Sequence, residues 1–216
     1  MPRPKQPLIS RRAVFELALK IIDAEGVAAV STRRIGQELG INGTSLYYHF
    51  KTMDEVVAGA AGLALAEVRT PTDPDARWQD WLPENVLRTR RVLLAHPNLI
   101  PVLNERRRLG IGERDQDETV RRLLAEGVPQ PAVMPLMLSL ELFAIGSALH
   151  EAQNAAAASD SDPAVAEYPA LAQARRDSGL AGEALLKVII ASVIEAVMNA
   201  VPPPPRKRSR KTSTAG

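Results

Sequence analysis

The run Ser31-Thr32-Arg33-Arg34-Ile35-Gly36-Gln37-Glu38-Leu39-Gly40-Ile41-Asn42-Gly43-Thr44-Ser45-Leu46-Tyr47-Tyr48-His49-Phe50-Lys51 constrains this chain more than any other feature. Ile35 and Leu39 lie one helical turn apart. Gly40 supplies the left-handed corner that ends a helix, and Gly36 lets a second helix approach closely. Asn42 is placed to cap a second short helix from Gly43 to His49. On it Leu46 and Phe50 turn inward while Thr44, Ser45, Tyr47, Tyr48 and His49 project outward. Two short helices at a glycine corner make a helix-turn-helix. Its exposed side chains are hydrogen-bonding and aromatic, matching the base edges, thymine methyls and phosphates of a major groove. Double-stranded DNA is the expected partner.

These residues also carry a resemblance. From about Ser10 to Val57 the chain resembles the amino-terminal domain of the TetR family of bacterial transcriptional regulators, most specifically in Leu46-Tyr47-Tyr48-His49-Phe50-Lys51 after its Gly-Ile turn, with Gly26, Thr32 and Arg33 at matching positions upstream. The resemblance implies that Arg33 enters the major groove, where a guanidinium suits the O6 and N7 of guanine. Thr32 is expected on phosphate, Thr44 and Ser45 on base edges or a thymine methyl, and Tyr47, His49 and Lys51 on the DNA backbone. Tyr48 could do either. Gly43 departs from the larger side chain that some members carry, which removes one base contact. For His49, packing against Phe50 is the alternative.

The remaining pattern is helical throughout, and the expected fold is all-α. Val14, Leu17, Ala18, Ile21 and Ile22 follow helical spacing from Ser10 to Glu25, with Gly26 as the stop. Thr52-Met53-Asp54-Glu55 reads as a capping box for a fourth helix whose stripe Val56, Val57, Ala60, Ala61, Ala64 and Val68 runs into a second domain. A long helix is expected from Trp78 to near His96, with Pro83 a bending point, then short helices at Ile100–Leu109 and Gln116–Glu126. After a break at Pro129 and Pro131, Pro135 is expected in the first turn of a long apolar helix reaching about Ala158. Ser159–Ser178 reads as a long loop or partly ordered excursion, and a last apolar helix spans Gly182 to Val201. The last two long helices are more apolar than one core requires, predicting a homodimer through a four-helix interface. Two central core helices of a monomer would leave the same pattern.

These elements divide the chain into a flexible basic arm (1–9), a three-helix helix-turn-helix DNA-binding domain (10–55), a larger helical-bundle ligand-binding and dimerisation domain (56–201) and a Pro-rich basic tail (202–216) expected to be disordered. Charge follows that division. Residues 1–51 carry eight Lys and Arg against four Asp and Glu, and residues 202–216 carry five basic and no acidic side chains, so the stretch between has seven more acidic than basic residues. Both ends suit phosphate and the middle does not. The tail adds non-specific DNA affinity or is an inert solvated terminus.

With 216 residues and 45% hydrophobic content, two domains can each bury a core. No apolar run approaches the roughly 18 residues of a membrane span, and the start Met-Pro-Arg-Pro-Lys lacks a signal-peptide core. A cytoplasmic protein with no membrane partner is expected. The chain has no cysteine and three histidines, without paired histidines at metal spacing or a phosphate loop. No catalytic residue, metal or cofactor is therefore assigned. An apolar small-molecule effector is the one ligand the resemblance implies, with Trp78, Trp81, His96, Met137, Phe143 and His150 as pocket candidates; ordinary core packing is the simpler reading of each. A palindrome-binding dimeric repressor released by that effector is the expected function. The alternative is a ligand-independent or architectural DNA-binding protein.

Overall fold

The computed structural model describes residues 10–105, 111–157, 168–177, 179–180 and 182–201. The arm 1–9 and the tail 202–216 lie outside the described residues. Nine α-helices and several 3-10 turns account for the secondary structure among those residues, with no strand.

Helix α1 (Arg11–Glu25) starts at Ser10, whose side chain accepts from the Ala13 N–H, and stops at Gly26, which takes φ 84°. Helix α2 (Thr32–Leu39) is capped by Ser31 and ends at Gly40 in the left-handed region, φ 65°. The 3-10 segment Gly43–Tyr48 follows, capped by Asn42. Helix α3 (Met53–Ala64) begins at Thr52 and runs on into a 3-10 turn, Leu65–Glu67. Half of the capping box forms: Thr52 accepts the Glu55 N–H at 3.2 Å, but the Glu55 carboxylate turns to the Lys51 N–H at 2.9 Å and to Arg11.

Helix α4 (Trp78–Ala95) contains Pro83 and leads through Pro97–Leu99 into α5 (Ile100–Asn104). Helix α6 (Glu113–Ala125) begins three residues before the expected Gln116, because Gly112, at φ 70°, ends the preceding turn there. The long helix α7 spans Gln130–Ala157. It starts five residues before the position expected from Pro135, because Pro131 sits in its first turn, where a missing N–H costs nothing, and Ala132 and Val133 are already buried. The stretch expected as a loop includes helix α8 (Pro169–Arg176), with proline at its start, while 158–167 lie outside the described residues. Helix α9 spans Gly182–Ala200.

Two apolar clusters organise these helices. The first joins Val14, Ala18 and Ile22 of α1 to Ile35, Leu46, Phe50 and Val56, and continues through Leu93, Leu99, Ile100 and Ala148 into the ends of α4, α5 and α7. The second gathers Trp78, Trp81, Leu82, Leu123, Leu136, Leu140 and Ile190 of α4, α6, α7 and α9. Helix α7 is long and apolar enough, by length and composition, to cross a bilayer. Its Leu136, Leu140, Ala144 and Ala148 are nevertheless buried against other helices of the chain.

Candidate DNA interface and effector cavity

The corner between α2 and the 3-10 segment works because two glycines meet. A Cβ on Gly36 would lie 3.0 Å from the Cα and N of Gly43, and one on Gly43 would lie 2.9 Å from the Thr32 carbonyl oxygen. The segment is tighter than the expected α-helix, and with three residues per turn its side chains stack in rows. Gly43, Leu46 and His49 share one row, on which Leu46 is buried and His49, expected to project outward, is only half-exposed beside Phe50, ring centroids 6.5 Å apart. Thr44 and Tyr47 form a second row, Ser45 and Tyr48 a third. Tyr47 is 60% exposed and Tyr48 90%. Such exposure of two aromatic rings is costly in water unless a partner covers them.

Asn42 Oδ1 accepts from both the Thr44 N–H (3.1 Å) and the Thr44 hydroxyl (2.9 Å). Thr44 therefore presents a methyl group and hydroxyl lone pairs rather than a free donor. Two of the nearby arginines are committed within the protein. Arg34 binds Glu25 at 2.8 Å and Glu38 at 3.3 Å, and Arg11 binds Glu55 at 2.6 Å. Arg33 is exposed in the first turn of α2 and makes no hydrogen bond or ion pair among the described residues. Thr32 is half-buried at the start of the same helix, and Lys51 is exposed beyond the segment. The structure thus gathers Thr32, Arg33, Thr44, Ser45, Tyr47, Tyr48, His49 and Lys51 on three consecutive pieces of chain. Gln37 is exposed one turn beyond Arg33 on α2, an adjacency given by its i+4 spacing.

A cavity of about 190 Å³ opens between α3, α4, α6 and α7. Its apolar wall is formed by Leu65, Val68, Trp81, Leu82, Val86, Leu103, Ile111, Met137, Leu140 and Ile145, and its polar edge by Thr70, Asn85, Thr89, Asp115, Gln116, Thr119 and Glu141. The Thr70 and Thr119 hydroxyls meet at 2.8 Å, Asn85 donates to the Arg69 carbonyl at 3.0 Å, and Thr89 donates to the Asn85 carbonyl at 2.9 Å. Of the pocket candidates, Trp81 and Met137 line this space. Trp78 and Phe143 pack in the second core cluster, outside it. His96 lies at the far end of α4, its Nδ1 2.9 Å from both carboxylate oxygens of Asp23, and His150 is exposed on α7. The polar edge was not anticipated, yet Asn85 and Thr89, at i and i+4 within the apolar face of α4, were its visible trace.

A glycine-cornered helix-turn-helix bearing an exposed arginine and exposed tyrosines, attached to a helical bundle with a cavity, defines a helix-turn-helix transcriptional regulator with a second, helical domain. Two family models match successive parts of the chain: "Bacterial regulatory proteins, tetR family" matches residues 14–60, and "Tetracyclin repressor-like, C-terminal domain" matches residues 70–183. The chain belongs to the TetR family of bacterial regulatory proteins. An HTH-type transcriptional regulator of Saccharopolyspora erythraea is 29% identical over 177 residues, covering 77% of this chain and 75% of that protein. The class E tetracycline repressor protein of Escherichia coli is 29% identical over 147 residues, 64% of this chain and 66% of the repressor. Among solved structures, apo ActR of Streptomyces coelicolor superimposes with a TM-score of 0.71 at 26% identity, covering 90% of this chain and 97% of ActR. BioQ bound to its double-stranded DNA operator shares the fold, with a TM-score of 0.60 at 18% identity over 89% of this chain and 99% of BioQ.

Proposed function

We propose that the protein is a dimeric repressor that reads a palindromic operator and is released from it by an apolar small molecule. In this reading residues 10–55 are the DNA-binding domain and 56–201 the sensing and dimerisation domain. Arg33 makes the base-specific contact, Thr44 and Ser45 meet base edges or a thymine methyl, and Thr32, Tyr47, His49 and Lys51 hold the phosphate backbone. Tyr48 does either.

The observation that carries this reading is the placement of α3. Val56, Val57, Ala60 and Ala61 belong to the same buried cluster as α1, Leu46 and Phe50, whereas Gly62 and the following Leu65 and Val68 wall the cavity. A ligand that widens or closes the cavity acts on the helix against which the reading unit is built. Its effect is a shift between arrangements of the two units, and its size is set by how differently the ligand binds each. Actinorhodin, present with ActR in a related structure, is a reasonable first probe of effector chemistry.

Dimerisation is supported by faces that the single chain leaves open. Met134, Leu138 and Leu142 recur every four residues on α7, are 60%, 55% and 61% exposed, and are continued by Leu149; Leu185 and Val188 of α9 are also exposed. Lone surface leucines need no explanation, but a continuous apolar row on two adjacent helices does.

Selection of bound duplexes from a random DNA pool at near-physiological salt tests the reading. A two-fold symmetric motif is expected. Uniform binding that vanishes as salt rises would replace it with an architectural role.

A further inference from the structure

Arg11, on the first turn of α1, has no role in DNA recognition in the reading above, yet it touches each piece of chain that fixes where the reading segment ends. One guanidinium nitrogen, Nη1, donates to the backbone carbonyl of His49, the residue that closes the segment. The other, Nη2, donates to Glu55 Oε1 at 2.6 Å, and Glu55 Oε2 in turn accepts the Lys51 N–H at 2.9 Å. The guanidinium carbon Cζ lies over the Phe50 ring, 4.5 Å from its centroid, and over that of Phe15 at 5.6 Å. Phe50 is itself buried in the core shared by α1 and the segment.

We infer that Arg11 is a positioning residue for DNA recognition: it rivets the His49–Lys51 turn to α1 and α3 and so holds the orientation of the 3-10 reading segment. The inference rests on the reading above, in which that segment enters the groove. A planar fork is needed to serve a carbonyl, a carboxylate and a ring at once, which an ammonium cannot do. The Glu55 carboxyl is held below its usual value, first by the Arg11 hydrogen bond and then by the Lys51 N–H, so the rivet is charged at neutral pH. Because the Arg11 side chain is 48% exposed, direct binding to phosphate is the competing role.

The two roles differ in sign at Glu55 and in salt dependence at Arg11. With the duplex selected by the wild-type chain as probe, Arg11→Ala and Arg11→Lys should both weaken binding, by about tenfold, with the slope of log affinity against log salt unchanged. Glu55→Gln should also weaken it, although removing a negative charge near DNA would by itself tighten binding. Circular dichroism checks that each variant is folded; should Arg11→Ala fail to fold, Arg11→Lys and Glu55→Gln carry the test. If Arg11→Lys binds like wild type while Arg11→Ala loses about one unit of salt slope, Arg11 is a phosphate contact and the inference is overturned. Tighter binding by Glu55→Gln, or unchanged affinity in all three variants, overturns it as well. A wild-type chain that selects no motif overturns both this inference and the proposed function, whereas a selected motif with indifferent variants overturns the inference alone.

Discussion

Glu126 controls the start of the helix that walls the cavity, and its removal gives a stability loss that can be worked out from the structure. Arg77, the N-cap of α4, makes no side-chain bond to the first turn. Glu126, just beyond the end of α6, replaces that cap: its Oε2 accepts the Trp78 N–H at 2.5 Å, and its Oε1 accepts from Trp81 Nε1 at 3.3 Å and Arg122 Nε at 2.5 Å. Glu126→Ala removes a carboxylate cap, at a cost of about 1 kcal/mol. It also leaves the indole N–H of Trp81, a residue only 6% exposed, without its acceptor, at a cost of about 1–2 kcal/mol. Arg122 adds little, since it keeps the carbonyls of Asp73, Pro74 and Ala76. The sum is about 2–3 kcal/mol, which for a chain of this size lowers the melting temperature by roughly 5–10 °C. Both tryptophans of the chain lie at this site, so their fluorescence reports it locally while circular dichroism follows the whole molecule. Glu126→Gln, which keeps part of the hydrogen bonding, should lose about half as much. A melting temperature for Glu126→Ala within about 1 °C of wild type would refute the reasoning. The pH dependence has a definite sign. Burial alone would raise the Glu126 pKa, but the bonds from Arg122, Trp78 and Trp81 outweigh it and hold the carboxyl below its ordinary value. Its contribution is therefore complete above the unfolded-state pKa of about 4.3 and is lost as pH falls through the lower folded-state value. The gap between wild type and Glu126→Gln should close as the solution is acidified below about pH 4.

Three further outcomes are expected. Arg33→Ala should relax sequence preference at one base pair in each half-site and cost about 1–3 kcal/mol against the preferred duplex; a selected motif identical to that of wild type removes the assigned role. Leu142→Glu, which places a charge in the middle of the exposed α7 row, should convert the dimer to monomer in sedimentation and weaken operator binding by about tenfold or more through loss of the paired half-site; a dimer of unchanged affinity would mean that this face is not the interface. Gly59→Val should destabilise the chain by about 1–3 kcal/mol, because even a Cβ at Gly59 would lie 2.1 Å from the Phe15 ring; an unaltered melting temperature would show that Phe15 moves aside freely.

The DNA-reading unit was legible in the sequence because its parts are specified locally. Ser10, Ser31, Asn42 and Thr52 each cap the helix or turn that follows, and Gly26 and Gly40 stop the helices before them through positive φ angles that other residues rarely adopt. The inward position of Leu46 and Phe50 followed from spacing alone. Three features were not legible. The 3-10 winding of Gly43–Tyr48 depends on how closely Gly36 and Gly43 approach, which is a tertiary distance. The start of α7 at Gln130 was hidden because proline is equally at home in a break and in the first turn of a helix. The cavity was hidden because apolar periodicity says which face of α4 is covered and not whether the covering atoms reach it.

The same limit explains why His96 was drawn toward a pocket it does not enter. On α4 the cavity face is Trp81, Leu82, Asn85, Val86 and Thr89; His96 lies two turns beyond Thr89, where the helix has left the cavity and reached the carboxyl end of α1. There His96 meets Asp23, and Asn98 donates to the carbonyls of Ile22 and Asp23 at 2.9 and 3.0 Å. Those carbonyls belong to the last turn of α1, which has no basic side chain of its own to complement its dipole. A helix of the reading unit is thus capped from the 3-10 turn that follows a helix walling the cavity, while α3 joins the same two places by its own length. Among the described residues the reading unit is therefore held to the cavity-walling helices both through α3 and through the His96–Asn98 contacts with α1. Any rearrangement of the cavity that moves α4 along its axis must either carry α1 with it or give up the Asn98 cap.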